Sequence, residues 1–191
     1  MPEKLIRTFI AIDTPETVSE VALLLKSSVK ANQKAVKWVR KENIHITLRF
    51  IGPTAPGEVD KINRLLREIS GQNSDLSLTV SGTGCFPKKE RPRILWLGVG
   101  GDVAKLKLLV EMIRSEMDQL GYPQEEHNYS SHITIGRIRY PQKVTPDITD
   151  FLTAQYEPVL WNVPKIILYQ SELLPSGALY SILGTHSLKP R

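Results

Sequence analysis

The sequence predicts an α+β fold built from antiparallel sheets that are covered by helices on one face. Short runs that alternate polar and apolar residues, as strands do, are interspersed with segments whose apolar residues recur at helical spacing. No long series of strand–helix–strand units follows. A strand–helix–strand–strand pattern occurs on both sides of the chain middle, which indicates a weak internal repeat of pseudo-two-fold character. Two lobes of a single domain over residues 1-191, facing each other across a central groove, would accommodate it.

The first half of the chain predicts strands where β-branched and aromatic residues alternate with polar ones. It predicts helices where aliphatic residues return every three or four positions. Asp13 to Glu16 predicts a helix start, because a capping side chain precedes a proline suited to the first turn. In order, we expect a strand at 7–12, a helix from 16 to about 32, strands at 36–40 and 45–51, a turn at 52–57 and a helix at 58–70.

The second half continues the same pattern. Gly98 to Asp102 resembles a phosphate-cradling turn, but it lacks the third glycine of a dinucleotide fingerprint and the Walker lysine, so it predicts a strand-to-helix turn capped by Asp102. The alternation of a later strand breaks after Gly136, which predicts a β-bulge that redirects Arg137 or Arg139. In order, we expect strands at 76–80 and 94–99, a helix from 103 to 120, a loop at 124–129, a strand from 132, a short helix at 146–152, strands at 159–169 and 178–183 around a turn at 175–177, and a loose tail from 185.

The composition is that of a globular protein. At 191 residues and 41% hydrophobic residues, the chain can bury a core without cofactors or crosslinks. The single cysteine, Cys85, excludes an intramolecular disulfide and a multi-cysteine zinc site, and it fits a reducing compartment. No apolar run approaches the roughly 20 residues that span a bilayer, and the N-terminus lacks the apolar core and cleavage site of a signal peptide. We therefore expect a soluble, cytoplasmic protein without a membrane partner.

The formal net charge of +5 is unevenly distributed. The basic residues between positions 26 and 49 accompany one acid, Glu42, and those between 88 and 93 accompany one acid, Glu90. Clustered cations favour a polyanionic partner such as nucleic acid, although a solvated helix face and a charged loop explain each cluster equally well. The clusters consist of Lys26, Lys30, Lys34, Lys37, Arg40, Lys41 and Arg49, and of Lys88, Lys89, Arg91 and Arg93.

A short motif occurs twice, as His45-Ile46-Thr47-Leu48 and as His132-Ile133-Thr134-Ile135. Because residues i and i+2 of a strand point to the same face, each copy places a histidine and a threonine opposite two aliphatic residues. In the first copy we expect Arg49 on the histidine face and Phe50 on the aliphatic face. Each strand would thus bury one side and present an imidazole and a hydroxyl on the other.

Two facing imidazoles suit proton transfer in both directions. A histidine has an unperturbed pKa of about 6.5, so near neutral pH one ring can be unprotonated and its partner protonated. The first can take a proton from water while the second donates one to a leaving oxygen. Threonine hydroxyls can donate hydrogen bonds to phosphate oxygens as charge develops there. We therefore predict that His45 and His132 are catalytic and that Thr47 and Thr134 bind a phosphate, with no metal or other cofactor required.

The repeated motif is also compatible with different roles. A metal site could recruit both motif histidines and a third ligand, although no acidic residue shares their strand faces. A nucleophilic histidine would leave one copy without a role. A purely structural repeat would not need a histidine on the exposed face twice. His127 and His186 have no repeated context and stay unassigned.

With both motifs in this order, the sequence resembles the two-histidine phosphoesterase superfamily. Within it, the chain is similar to the bacterial and archaeal RNA 2′,3′-cyclic phosphodiesterases once called 2′-5′ RNA ligases. The resemblance covers nearly the whole chain, and Ser131 stands where the family often has proline. Its landmarks are Arg7 to Ile12, Val36 to Val39, Asn43 to Gly52, Gly84 to Pro87, Pro92 to Gly98, His132 to Arg137 and Leu168 to Ser171.

The resemblance implies a bilobal α+β fold in which each lobe contributes one motif to a central groove. It implies hydrolysis of a 2′,3′-cyclic phosphate at an RNA end to a 2′-phosphate, which on the residues themselves we expect to be metal-independent. By the same resemblance, His45 donates a proton to the departing 3′ oxygen, His132 activates water, and Arg137 assists substrate binding. The residues alone leave the order of acid and base open, because the two motifs are symmetric.

Two further functions would use the same residues. A 2′-5′ RNA ligase acting on tRNA halves would reverse a transesterification with the same groups. A non-catalytic RNA-binding module would use the basic clusters together with Trp38, Phe86 and Tyr129 for backbone tracking and stacking. As the partner we expect RNA or a nucleotide with a 2′,3′-cyclic phosphate end, and we expect a monomeric protein.

Overall fold

The computed structural model describes residues 4–30, 35–123, 129–139, 145–175 and 177–191. Most of the expected loop at 124–129, including His127, lies outside the described residues, as do Lys34 and the middle of the expected turn at 175–177. None of the described helices is long and apolar enough to cross a membrane.

The strands are β1 Ile6–Asp13, β2 Val36–Trp38, β3 His45–Thr54, β4 Leu76–Phe86, β5 Ile94–Gly101, β6 His132–Ile138, β7 Val159–Val163, β8 Lys165–Leu174 and β9 Gly177–Ser187. The α-helices are α1 Glu16–Leu24, α2 Val59–Ser70, α3 Val103–Gln119 and α4 Thr149–Leu152.

The strands are hydrogen-bonded into one sheet in which every ladder is antiparallel. Eight of them follow the order β7-β4-β5-β6-β3-β1-β8-β9, and β2 pairs with the C-terminal part of β6. The motif strands β3 and β6 are neighbours, joined by the single pair Ile46 and Ile133. The sheet therefore has a first half, β3-β1-β8-β9, and a second half, β6-β5-β4-β7, each with its motif strand innermost. The expected antiparallel α+β class is confirmed, whereas the two expected sheets are joined into one because the motif strands pair directly.

One core lies between the sheet and the helices. α2 packs against β8, β9 and α3, and α3 packs against β3 and β4. The aliphatic residues of both motifs, Ile46, Leu48, Ile133 and Ile135, are buried in this core together with helix residues such as Leu106. Burying a leucine or isoleucine side chain contributes about 2 kcal/mol, so these positions fix which side of each motif strand faces away from the helices.

β6 contains the bulge that the break after Gly136 predicts. Its ladder with β5 pairs Thr134 with Trp96 and Gly136 with Leu95, which leaves Ile135 without a paired residue in β5. The extra residue reverses the alternation of the strand, so Arg137 returns to the histidine side. The predicted redirection is confirmed for Arg137.

β3 is bulged as well, at Leu48 and again at Ile51, which the sequence did not predict. Its ladder with β1 skips Leu48 between Thr47 and Arg49. The expected faces are therefore wrong beyond this point: Arg49 is only 4% exposed, and Phe50 is 55% exposed. The guanidinium of Arg49 lies 2.7 Å from Oδ1 of Asp118, which supplies the counter-charge that a buried arginine requires.

Several element bounds differ from the expected ones. α1 ends at Leu24 and continues as a short 3-10 turn instead of reaching residue 32, because two serines and a β-branched valine follow. β3 runs through the expected turn at 52–54. β4 continues across Gly82 by a bulge, and the φ of 68° at this glycine explains the residue type. The expected strand at 159–169 is divided into β7 and β8 at Pro164, which has no N–H for a ladder.

The tail from residue 185 is ordered, contrary to expectation. Leu188 is buried, and the Arg191 side chain forms ion pairs with Asp75 and Asp102. Asp102 also accepts a hydrogen bond from the Ser77 N–H, and its side chain does not cap α3. The turn before α3 is therefore held by the tail and by β4.

Candidate active site

A narrow groove lies between the two motif strands, on the side of the sheet that faces away from the helices. All five residues predicted to act there, His45, Thr47, His132, Thr134 and Arg137, line it together. They come from β3 and β6, whose direct pairing sets the two histidines on adjacent strands. The lining is completed by Val39, Asn43, Phe50 and Tyr180.

Both imidazoles are oriented by the same kind of backbone hydrogen bond. Nδ1 of His45 lies 2.7 Å from the carbonyl oxygen of Asn43, and Nδ1 of His132 lies 2.8 Å from that of Ser130. A carbonyl oxygen only accepts, so each Nδ1 carries a hydrogen and donates it. Each Nε2 is therefore the nitrogen that gains or loses a proton, and in the neutral ring it is a hydrogen-bond acceptor.

The two residues of the first motif also contact each other. Oγ1 of Thr47 lies 3.0 Å from Nε2 of His45. The threonine hydroxyl donates this hydrogen bond when the imidazole is neutral. Once Nε2 is protonated it no longer accepts, and the hydroxyl is released for another acceptor in the groove.

The His45 ring is half-buried and packed against aromatic side chains. Its centroid lies 5.1 Å from that of Phe9 and 5.6 Å from that of Tyr180. Burial lowers the pKa of His45 below its usual value of 6.5, because water no longer solvates the imidazolium. The neutral form of His45 is thus favoured in the free groove.

Charged and polar groups from both half-sheets modify this effect. The hydrogen bond to Asn43 and the negative charge of Asp13 raise the pKa of His45, whereas Arg137 and His132 lower it. A positive charge on one side of the groove therefore disfavours a second one on the other side.

His132 is flanked by two aromatic rings of the second half-sheet. The Phe86 ring lies edge-on to it, with 5.1 Å between centroids, and the Trp96 ring lies at 6.4 Å. Trp96 covers Gly84, where a Cβ would overlap the indole. A side chain at this glycine would therefore displace the indole from its place beside His132. The second basic cluster, residues 88–93, begins two residues after Phe86 in the chain.

The sequence did not predict four of the lining residues. Phe50 was assigned to the wrong face because the bulge at Leu48 gives no signal in a run of strand-forming residues. Asn43 had a signal that was not used, since it stands two residues before a motif histidine as Ser130 does. Nothing in the sequence connects Val39, or Tyr180 of β9, with the motifs.

His186, the other histidine that the structure describes, does not join the groove. His186 is buried, and its Nε2 lies 3.0 Å from Oδ1 of Asn63, which indicates a structural role. Within the part of the chain that the structure describes, no three histidine, cysteine, aspartate or glutamate side chains are grouped so that they could hold a metal ion. The groove therefore offers two proton-transfer groups and three donors for an anion.

Known proteins with a similar sequence span nearly the whole chain. A family model described as LigT-like phosphoesterase matches residues 12–96 and 100–180. A protein of Thermotoga maritima named RNA 2′,3′-cyclic phosphodiesterase is 36% identical over 179 residues, which cover 93% of this chain and 92% of the relative. A protein of Aquifex aeolicus with the same name is 32% identical over 185 residues, which cover 94% of this chain and 96% of the relative.

Solved structures share the fold at lower identity. A protein of Thermus thermophilus has a TM-score of 0.79 at 24% identity, covering 97% of this chain and 100% of that one. E. coli LigT complexed with 3′-AMP has a TM-score of 0.78 at 23% identity, covering 97% and 99%. The expected resemblance and the expected enzyme class are both confirmed by the sequence matches. The chain belongs to the LigT-like phosphoesterases, a family of two-histidine phosphoesterases.

Proposed function

We propose that this protein hydrolyses the 2′,3′-cyclic phosphate ends of RNA to 2′-phosphates. The observation that carries the proposal is the presence of both motif histidines, both motif threonines and Arg137 in one groove. The curated relatives named above carry the name of this activity. Two imidazoles, two hydroxyls and a guanidinium suit a phosphodiester, because its hydrolysis needs two proton transfers and donors for the phosphate oxygens.

In this proposal His132 is the general base and His45 the general acid, the order that the family resemblance implies. Nε2 of His132 takes a proton from the attacking water, and Nε2 of His45 gives a proton to the departing 3′ oxygen. The attacking and leaving oxygens lie on opposite sides of phosphorus in an in-line displacement. Histidines on two neighbouring strands that line one groove suit this requirement.

His45 must be protonated when the substrate is bound, although burial lowers its pKa in the free groove. A cyclic phosphodiester carries a negative charge, and this charge beside Nε2 favours the imidazolium. Substrate binding therefore offsets the desolvation of His45. The acid becomes charged when a phosphate is present to receive its proton.

Thr47, Thr134 and Arg137 hold the phosphate. The Thr47 hydroxyl donates to His45 in the free groove, and protonation of His45 releases it towards a phosphate oxygen. Thr134 occupies the matching position on β6 and donates to a second oxygen. Arg137 lies on the same strand beyond the bulge and contributes a charge-assisted hydrogen bond.

The nucleoside lies at the His45 end of the groove, because the departing 3′ oxygen stays attached to the ribose. Phe50 and Tyr180 line this end, and the exposed ring of Phe50 provides a stacking surface for a base. The attacking water approaches from the end beside His132. The rest of the RNA extends from the ribose, past the cations of the first basic cluster that precede β3.

We further propose that the reaction needs no metal and that the acting unit is one bilobal domain over residues 1-191, with one motif in each lobe. A monomeric state and a cytoplasmic location stay predictions. Support for metal independence comes from the chemistry of the groove, in which two imidazoles supply both proton transfers.

The decisive experiment is the digestion of an oligonucleotide with a 2′,3′-cyclic end in the presence of excess chelator, followed by phosphorus NMR of the product. We expect a 2′-phosphate. A 3′-phosphate, or a loss of activity that a divalent ion restores, would contradict the proposal. Joining of the substrate to a 5′-hydroxyl RNA would indicate the ligase instead, and binding without opening of the ring would indicate the RNA-binding module.

A further inference from the structure

The hairpin of β8 and β9 bends over the His45 end of the groove. In the ladders, Tyr180 lies opposite Ser171, and Ser171 lies opposite Arg7 near the start of β1. His45 lies opposite Asp13, at the other end of β1. Tyr180 nevertheless comes within 5.6 Å of the His45 ring, centroid to centroid. The Tyr180 ring therefore reaches the histidine beside Phe9, whose ring centroid lies 5.1 Å from that of His45 and 4.8 Å from that of Tyr180.

Two residues that precede β3 meet the tip of this hairpin. Nδ2 of Asn43 donates a hydrogen bond to the carbonyl oxygen of Ala178 at 2.8 Å. The guanidinium of Arg40 lies against the turn, 3.6 Å from where a Cβ at Gly177 would be. The Asn43 bond joins positions 135 residues apart in the chain, so it depends on the tertiary fold and not on the local chain geometry.

Asn43 is bonded to both sides of this contact. Its backbone carbonyl accepts the Nδ1 hydrogen of His45 at 2.7 Å, while its side-chain amide holds the hairpin. A single residue thus connects the orientation of the imidazole with the position of the strand that covers it. The carbonyl is present whatever the side chain is, so the two contacts can be separated by substitution.

The second motif has the first contact and lacks the second. Ser130 stands two residues before His132 and accepts its Nδ1 hydrogen, as Asn43 does for His45. The rings beside His132, Phe86 and Trp96, come from β4 and β5 of its own half-sheet. No hydrogen bond between a side chain at position 130 and another strand occurs among the described residues, which makes Ser130 a matched control.

We propose that Asn43 is a positioning residue whose side chain latches the β8–β9 hairpin over His45 and so keeps Tyr180 against the imidazole. The latch closes one end of the groove and excludes water from that ring. Its consequence for turnover rests on the proposed function, because a closed end confines the phosphate between the two motif strands. The latch itself is a property of the free protein.

The test is a proton NMR titration of His45 in the free protein and in an Asn43→Ala variant. Loss of the latch lets the hairpin move away, and water then reaches the ring. Burial is the main cause of the lowered pKa of His45, so we expect this pKa to rise towards 6.5 in the variant. The charged and titratable groups that act on His45 in the wild type, Asp13, Arg137 and His132, are unchanged by the substitution.

Ser130→Ala is the control and should leave the His45 titration unchanged. Asn43→Gln keeps an amide donor and should restore part of the wild-type pKa. An unchanged His45 pKa in folded Asn43→Ala protein would overturn the proposal. If that variant does not fold, Asn43→Ser takes its place, since a serine hydroxyl is too short to reach Ala178. An unchanged His45 pKa in the serine variant would likewise overturn the proposal.

A kinetic measurement gives the consequence for the proposed reaction. Loss of one hydrogen bond that closes the groove should raise the KM for a 2′,3′-cyclic nucleotide by about tenfold, with kcat nearly unchanged. A kcat that falls while KM stays constant would contradict the positioning role. If the wild type does not open cyclic phosphates at all, the proposed function fails, and the titration still decides the latch.

Discussion

The two motif strands are alike as far as their bulges and differ beyond them. β3 and β6 each orient a histidine by a carbonyl two residues earlier, present a threonine on the same side and then carry an unpaired residue. Directly after the bulge, β3 has Arg49, buried against Asp118, where β6 has Gly136. At the next position, Phe50 of β3 and Arg137 of β6 both enter the groove.

This difference teaches how a repeated motif can serve a reaction with two unlike ends. The shared positions supply a proton-transfer group and a hydroxyl on each side. The divergent positions add an aromatic ring from β3 and a guanidinium from β6, and β9 covers the His45 side of the groove. An in-line displacement has a ribose on one side of phosphorus and a water on the other, so it needs two ends of different character.

The largest expected effect tests what the two strands share. His45→Ala and His132→Ala should each lower kcat for a 2′,3′-cyclic nucleotide by about 10²–10⁴-fold, because each removes one proton transfer. The double variant should lose less than the product of the two single effects, since the groups act as a unit. Steady-state kinetics with thermal melts check this. Two single variants that differ by many orders of magnitude would show that one histidine does not act in the reaction.

The next effect tests the first divergent position through stability. Arg49→Met should destabilise the protein by about 2–3 kcal/mol, because it leaves Asp118 and the Tyr122 carbonyl, which Arg49 contacts at 2.5 Å, without their donor. Asp118 is partly exposed and can be rehydrated, which keeps the loss at the lower end of the range for buried pairs. Urea unfolding measures this loss of stability. If Phe50 keeps its place in the variant, the activity per folded molecule should be unchanged.

Gly136→Ala is the matched change on β6. A Cβ there would lie 3.0 Å from the Trp38 ring and 3.2 Å from Val36, so we expect a smaller loss of about 1 kcal/mol from overpacking against β2. The same unfolding measurement applies. A larger loss for Gly136→Ala than for Arg49→Met would mean that the β2 contact, and not the buried ion pair, fixes the bulges.

The second divergent position, Phe50 in β3 and Arg137 in β6, tests whether one strand binds the substrate by stacking and the other by charge. Arg137→Ala should lower kcat/KM by about 10–100-fold through loss of a charge-assisted hydrogen bond, and added salt should shrink the difference from wild type. Phe50→Ala should raise KM by about tenfold, an effect that persists at high salt and depends on the base of the substrate. Kinetics at two salt concentrations with two bases distinguish the variants. Equal salt dependence of both would contradict the division of roles.

The smallest effect concerns pH. The pKa of His45 is lowered in the folded protein, so below about pH 6.5 the unfolded state binds more protons, and the free energy of unfolding decreases as the pH falls. Burial lowers the pKa of His186 as well, and it contributes in the same direction. Thermal melts between about pH 5.5 and 7.5 should show a shallower decrease for His45→Gln than for the wild type. An identical slope in the two proteins would mean that groups other than His45 cause the pH dependence of stability.

Much of the fold was predictable because its signals are local. Alternation predicted β1, β5 and the start of both motif strands, and helical spacing predicted α2 and α3 nearly to the residue. The bulge in β6 was predictable because Gly136 interrupts the pattern. The bulge in β3 was not, since Leu48, Arg49 and Phe50 are all compatible with an unbroken strand and only the buried partner of Arg49 decides the face.

The residues alone establish which groups the two motifs present: a histidine and a threonine, twice, on strands whose other side is aliphatic. Side-chain type and strand alternation are properties of a few consecutive residues, and they suffice for that conclusion. The tertiary contacts alone set which strands are neighbours, through the pair Ile46 and Ile133, and bring Tyr180 of β9 against the His45 ring. Those contacts depend on how the whole sheet bends and closes, and no short stretch of the chain encodes that.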